Sequence, residues 1–283
     1  MLPYVFTIFG FHLPTYGLLV ALAFLTALAL TAKLARRNNL DSETVLNLGI
    51  YCAMAGIAGA KLMMILVDLP EYARDPRMLF SLATLQAAGI FYGGLIAALI
   101  TAWFYMRRKH LPMLATADVL APGIALGHSI GRLGCFAAGC CWGAHSTLPW
   151  AVTFSKPEAH ELVGVPLGIS LHPTQLYESL AEAVIFLILY RLIAKPHKPG
   201  AIIGLYLFLY STVRFFDDFL RDPQQPNPFG GPFNNAQWIS LGLIAVVIAV
   251  WVSKSKLKQV QQLSQVGQAV PPASLVCPYD PKQ

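Results

Sequence analysis

The chain has 283 residues, of which 56% are hydrophobic and only 12% charged, with a mean hydropathy of +0.57. Soluble domains usually carry about 25% charged residues, so the composition points away from a water-facing fold and towards the lipid bilayer as solvent. The formal net charge of +6 sits in short clusters between apolar runs, not on one polar face, which argues against nucleic acid as a partner and for a role in membrane topology.

The first residues, Met1 to Pro14, contain no Lys or Arg and no small-residue cleavage site, unlike a cleavable signal peptide. The chain also has no lipobox of its own. A helix needs about 20 mainly apolar residues to cross a hydrocarbon core of about 30 Å. Seven runs qualify in chain order: Tyr16–Ala32, Val45–Val67, Ala88–Met106, Ala117–Phe136, Gln175–Leu192, Ala201–Phe219 and Gln237–Val252. Basic clusters follow every second run: Lys33, Arg36 and Arg37; Arg107, Arg108 and Lys109; Arg191, Lys195 and Lys198; Lys254, Lys256 and Lys258. Lys and Arg accumulate on the cytoplasmic side. The expected architecture is therefore an all-α, seven-helix polytopic membrane protein, N-terminus outside and C-terminus cytoplasmic.

Between the runs, Asp68 to Gln86 holds Pro70, Pro76 and the apolar stretch Met78–Leu85, and reads either as an interfacial arm or as a plain loop. Residues 137–174, rich in Gly and Pro and carrying Trp142, Trp150 and Phe154, are long enough for a small extracytoplasmic head. The division expected is thus a transmembrane domain over 1–258, with the head inside it, and a polar, disordered cytoplasmic tail over 259–283.

Charges inside spans are costly and normally face the bundle interior, pair, or line a cavity. The fourth run ends in His128-Ser-Ile-Gly131-Arg132-Leu-Gly134-Cys135. There a guanidinium beside glycines either grips a phosphate bidentately or snorkels to the interface. The sixth ends in Arg214-Phe-Phe-Asp217-Asp218-Phe-Leu-Arg221, where the spacing of Arg214 to Asp218 and of Asp217 to Arg221 suits two helical ion pairs. The fifth carries Glu178 and Glu182 on one face, behind His172 and Gln175; Lys61 in the second run is the expected cationic partner. Tyr16 and Tyr92, the latter before Gly93 and Gly94, read as interfacial belt residues when taken alone.

Taken together and in this order, these segments resemble the prolipoprotein diacylglyceryl transferase family over roughly Tyr16 to Lys256. The resemblance is carried by Tyr16-Gly-Leu, Tyr92-Gly93-Gly94-Leu, Gly131-Arg132-Leu-Gly134-Cys135-Phe through Gly139 to Trp142-Gly143, His172-Pro-Thr-Gln-Leu-Tyr-Glu178, and Arg214-Phe-Phe through Arg221-Asp-Pro. It implies a multi-pass enzyme of the bacterial plasma (inner) membrane, with no metal or organic cofactor. The implied partners are phosphatidylglycerol, the signal peptide of a prolipoprotein, and membrane lipid. By the same resemblance the catalytic set is Arg214, Asp218, Tyr16 and Tyr92, and the substrate-binding set is Arg132, Cys135, Gly143, Gly93, Gly94, Glu178 and Arg221. Arg132 would bind the lipid head group and Arg214 would stabilise charge on the leaving phosphate. The chain departs from the family pattern at Tyr92, where the family has His, at Cys135, where it has Asn, and at Ala138 and Cys140, where Asn and Glu flank the next glycine. A Tyr hydroxyl has an unperturbed pKa of about 10, against about 6.5 for His. Either the base is dispensable, or another group such as His128 serves.

The sequence has five cysteines. Cys52 reads as a packed residue within a span, and Cys277 as a reduced thiol of the tail. Cys135, Cys140 and Cys141 cluster after the fourth run, where a disulfide, a metal site of no standard zinc spacing, or simple replacement of polar groups are all open. This cluster and the missing His also motivate an alternative: a non-transferring lipid-binding or thiol-redox paralogue.

Overall fold

A computed structural model describes residues 4–8, 11–81, 84, 89–221, 227–228 and 230–269. It opens on an antiparallel hairpin of β1 (Tyr4–Ile8) and β2 (Phe11–Pro14), which hands over at Pro14 to α1 (Thr15–Arg37). Helix α2 (Ser42–Val67) starts after a tight turn. The Asp41 carboxylate caps it by accepting from the backbone N–H groups of Glu43 and Thr44, each at 3.2 Å, and from the Thr44 hydroxyl. Those bonds, the Thr44 hydroxyl foremost, hold the Asp41 carboxyl below its ordinary pKa. A short α3 (Leu69–Arg74) and a 3-10 turn (Pro76–Phe80) follow. The principal helices then continue as α4 (Phe91–Arg108) and α5 (Met113–Ala138). After α5 come β3 (Val152–Thr153), α6 (Pro157–Val163) and β4 (Ser170–Leu171). The chain closes with α7 (Thr174–Leu192), α8 (Ala201–Asp217) and α9 (Asn235–Ala269).

Each of the seven apolar runs thus falls on a helix. Among the described residues, four stretches are long and apolar enough to cross a membrane by length and composition: Thr15–Arg37, Ser42–Val67, Met113–Ala138 and Asn235–Ser253. The other three helices are shorter or more polar; α7 carries Glu178, Glu182 and Arg191. Of the segment 259–283, residues 259–269 continue α9, with no proline before Pro271 to stop it, and residues 270–283, Cys277 among them, lie outside the described residues. Residues 82–83 and 85–88 of the expected interfacial arm and third run, and Asp222-Pro223 of the last motif, also lie outside them.

Helix α5 is the centre of the bundle, with α1, α7 and α8 packed on it, while α2 pairs with α4 and α9 with α8. Small residues permit the closest crossings. A Cβ at Gly93 would stand 2.3 Å from Met63 Cβ and 2.5 Å from the Gly59 carbonyl oxygen, and one at Gly94 2.8 Å from the Gly56 carbonyl oxygen. Gly93 and Gly94, expected in the substrate-binding set, therefore lie in the α2–α4 contact. Only 6% of the apolar window of α2 is buried inside the protein, so its side chains form an outer surface that hydrocarbon suits and water does not.

The main core joins one end of the bundle: Leu34, Ala35, Val45, Val119, Ala125, Ile185, Leu189, Ile202 and Tyr206 interlock there. Beside it the buried Asp118 of α5 accepts from the backbone N–H groups of Gly200 (2.6 Å) and Ile203 (2.8 Å). It thereby satisfies donors that the first turn of α8 otherwise leaves orphaned. At the opposite end of α5, residues 139–173 form a unit with its own small core of Phe154, Ala159, Val165 and Leu171, over which β3 pairs with β4.

Candidate active site

Three of the helices deliver charge to one point. On α5, His128 and Arg132 are four residues apart and share a face; on α7, Glu178 and Glu182 do the same. The packing of α5 on α7 brings the two faces into register. Arg132 Nη2 donates to Glu178 Oε1 at 2.7 Å, His128 Nε2 lies 3.3 Å from the same oxygen, and His128 Nδ1 lies 3.3 Å from Glu182 Oε1. From the C-terminal end of α8, Arg214 Nη1 donates to the other Glu178 oxygen, Oε2, at 3.3 Å, while its Nη2 is 2.8 Å from Asp218 Oδ1. Arg221 Nη1 approaches Glu178 Oε2 at 3.9 Å. Glu178 itself is 1% exposed. One buried carboxylate thus holds guanidinium groups from two helices and the loop beyond α8, with Asp218 as a second anchor for Arg214.

Two pairings expected from the sequence are corrected. Lys61 is not the partner of Glu178 and Glu182: its ammonium donates to the Thr84 carbonyl at 2.6 Å. The carboxylates are answered by His128, Arg132 and Arg214, because α7 packs on α5 and α8 and not on α2. Nor does Asp217 pair with Arg221. Helix α8 ends at Asp217, so the i,i+4 geometry is lost; Asp217 Oδ2 lies 3.9 Å from Arg214 Nη1, and Arg221 Nε lies 4.0 Å from Asp218 Oδ1. The Arg214–Asp218 pair forms as expected.

The remaining expected site residues divide. Tyr16 packs its ring on α5 beside Gly134, near enough for the charge of Arg132 and the thiols of Cys135, Cys140 and Cys141 to act on it. Cys135 lies in the last turn of α5, three residues past Arg132. Tyr92 sits on α4, edge-on to Phe91 at 5.9 Å and 46% exposed. Among the described residues, none of the hydrogen bonds or ion pairs of the Glu178 network includes it.

Gly143 positions Arg221. Its N–H donates to the His172 carbonyl at 3.0 Å, and it pairs as an isolated β-bridge with Arg221, next to the bond from the Ala144 N–H to the Leu220 carbonyl at 2.9 Å. A Cβ here would stand 2.5 Å from His172 Cβ and 2.7 Å from the Leu220 carbonyl oxygen. Gly143→Ala is therefore expected to destabilise the protein by about 1–3 kcal/mol through overpacking and to release Arg221 from Glu178. Thermal unfolding in detergent beside the parent checks it, and an unchanged midpoint would remove Gly143 from this role.

The sequence places Thr174 and Gln175 in the His172 motif and Trp150 in the head segment but gives none of them a role. The Thr174 hydroxyl donates to the Cys141 carbonyl (2.8 Å), the Gln175 amide to the Cys140 carbonyl (2.7 Å), and the Trp150 indole to the Tyr177 hydroxyl (2.8 Å). The usable signal was His172-Pro-Thr-Gln, which places polar side chains in the first turn of a helix that must anchor something before it.

The arrangement joins cations of fixed geometry to a buried carboxylate hub, which suits an anionic ligand that can accept from a guanidinium fork, as a carboxylate or phosphate can. The model of the prolipoprotein diacylglyceryl transferase family matches residues 3–253. Relatives named phosphatidylglycerol–prolipoprotein diacylglyceryl transferase include one from Clostridium tetani, 32% identical over 89% of this chain and 97% of the relative. Another, from Finegoldia magna, is 32% identical over 90% of this chain and 95% of its own length. A third, from Gloeobacter violaceus, is 30% identical over 88% of this chain and 91% of its own. With the motifs, the helical bundle and the arginine pair all inside the matched span, the chain belongs to the prolipoprotein diacylglyceryl transferase family.

Proposed function

We propose that this chain transfers the diacylglyceryl group of phosphatidylglycerol to the lipobox cysteine thiol of prolipoproteins, the activity that the names of its relatives state for those proteins. The observation that carries the proposal is the meeting of Arg132 and Arg214, from separate helices, on the two oxygens of Glu178. In the reaction the cysteine sulfur forms a bond to the glycerol carbon, the carbon–oxygen bond to the phosphate breaks, and glycerol phosphate leaves with the electron pair. Cations held beforehand where that negative charge develops lower the barrier. Arg132 Nε is buried and has no hydrogen-bond partner among the described residues, so a phosphate oxygen would complete what Glu178 leaves open. Arg214, held by both Glu178 and Asp218, is the more rigid cation and suits the leaving phosphate. His128, with one ring nitrogen 3.3 Å from Glu178 and the other 3.3 Å from Glu182, donates from both and serves the network as a cation, so where Tyr92 stands at the family's histidine position the thiol proton passes to the departing glycerol phosphate. Tyr16, beside Arg132, would border the head group.

The topology that goes with this reading is seven spans, with the N-terminus and residues 137–174 outside and the C-terminus in the cytoplasm of a bacterial inner membrane. The alternation of basic linkers supports it. A non-transferring paralogue is the weaker reading, since both arginines and their carboxylate partners are in place. The test is to supply bacterial membranes depleted of their own enzyme with this chain and to follow lipid-modified prolipoprotein. Product should appear; none, at verified expression, would sink the proposal.

A further inference from the structure

The turn that closes α5 is built around three cysteines in an unusual backbone. Gly139 (φ +82°) and Cys141 (φ +61°) both adopt the left-handed conformation, which a non-glycine residue enters only at a cost. The outcome is convergence: the sulfur atoms of Cys135, Cys140 and Cys141 lie within 4.8 Å of one another. The turn is fastened from α7. The Gln175 amide donates to the Cys140 carbonyl at 2.7 Å and the Thr174 hydroxyl to the Cys141 carbonyl at 2.8 Å, and both of these side chains are 1% exposed. The Cys140 N–H donates to the Cys135 carbonyl at 3.1 Å. None of the three is in a disulfide, and all three residues are half-buried.

The geometry points to a three-thiolate binding site for a thiophilic d10 metal ion at Cys135, Cys140 and Cys141. Metal–sulfur bonds of about 2.3 Å in a tetrahedral or trigonal site set the sulfurs about 4 Å apart, within a small side-chain rotation of the spacing found. Soft thiolates select ions such as Zn2+ and Cu+ over hard cations. With three protein ligands, a zinc ion would keep one open position, and copper(I) would be three-coordinate. Binding forms three metal–sulfur bonds, releases the thiol protons to solvent and changes no oxidation state. A disulfide, the rival outcome in an oxidising compartment, would use two of the sulfurs and leave the convergence of the third unexplained.

The test uses the full chain, purified in detergent, reduced and kept free of air, and its readout is independent of transfer. Titration with Co2+ should produce a sulfur-to-metal charge-transfer band that saturates at one ion per chain and is displaced by Zn2+ and by Cu+. Cys135→Ser, Cys140→Ser and Cys141→Ser should each remove the band, whereas Cys52→Ser should keep it. Gln175→Leu, which only unfastens the turn, should weaken binding by about tenfold or more, with helical content by circular dichroism unchanged. Saturation without the band, a band that survives all three serine variants, or a disulfide joining any two of the three in protein isolated without air would each overturn the proposal.

Discussion

Replacing Glu178 with alanine is expected to destabilise the protein by about 3–5 kcal/mol, because it strands buried cations without a counter-charge. The magnitude follows from the position. Glu178 is 1% exposed and receives Arg132 at 2.7 Å and Arg214 at 3.3 Å on different oxygens, with His128 at 3.3 Å. Arg214 keeps Asp218 as a second anchor, but Arg132 has no other carboxylate partner among the described residues. Glu178→Gln preserves volume and one acceptor while removing the charge, so it should fall between the parent and Glu178→Ala in stability, yet be as poor as the alanine variant in transfer. Thermal unfolding of the three proteins in one detergent, paired with the prolipoprotein assay, gives the comparison. If the alanine variant unfolds within about 1 kcal/mol of the parent, the network is not the closed ion-pair cluster described, since a single ordinary hydrogen bond is worth that much.

Much of this architecture was legible before any coordinates. Each apolar run of span length falls on a helix, because composition and run length decide that much, but the last helix, α9, continues seventeen residues past the expected end at Val252. The spacing of Glu178 to Glu182 marked a helical face that had to find cationic partners. What sequence spacing cannot give is which helix lies beside which. Lys61 was the expected partner of Glu178, and only the packing of α7 on α5 puts Arg132 there instead. Asp217 and Arg221 looked like a helical pair because nothing local announces that α8 stops at Asp217; the β-bridge to Gly143 that draws Arg221 away is formed by a segment nearly eighty residues earlier. Gly93 and Gly94 carry the same dipeptide whether they admit a ligand or a neighbouring helix, and here Met63 and Gly59 stand against them. The convergence of three thiols depends on the left-handed backbone of Cys141, a conformation its residue type disfavours and no pattern of apolar residues encodes.

The second large effect is expected at Arg132. Arg132→Ala should lower kcat/KM for transfer by about 10²–10³, the range seen when one preorganised donor to developing charge is removed. Its fold should be less affected than that of Glu178→Ala, because Glu178 retains Arg214 and His128 as partners. Arg132→Lys separates charge from geometry. A lysine restores a cation near Glu178 but offers a point charge where the guanidinium offers a planar fork, so it should recover stability and only a small part of the rate. The division between constants then identifies the step. A loss confined to KM would mean that Arg132 binds the head group equally well before and during reaction, whereas a loss in kcat would place it on charge that appears only as glycerol phosphate departs. Arg214→Ala, with its guanidinium anchored twice, is the contrasting case and should act chiefly on kcat. Full activity in Arg132→Lys would show that no bidentate contact is made there, and the two-arginine account of phosphate recognition would fail with it.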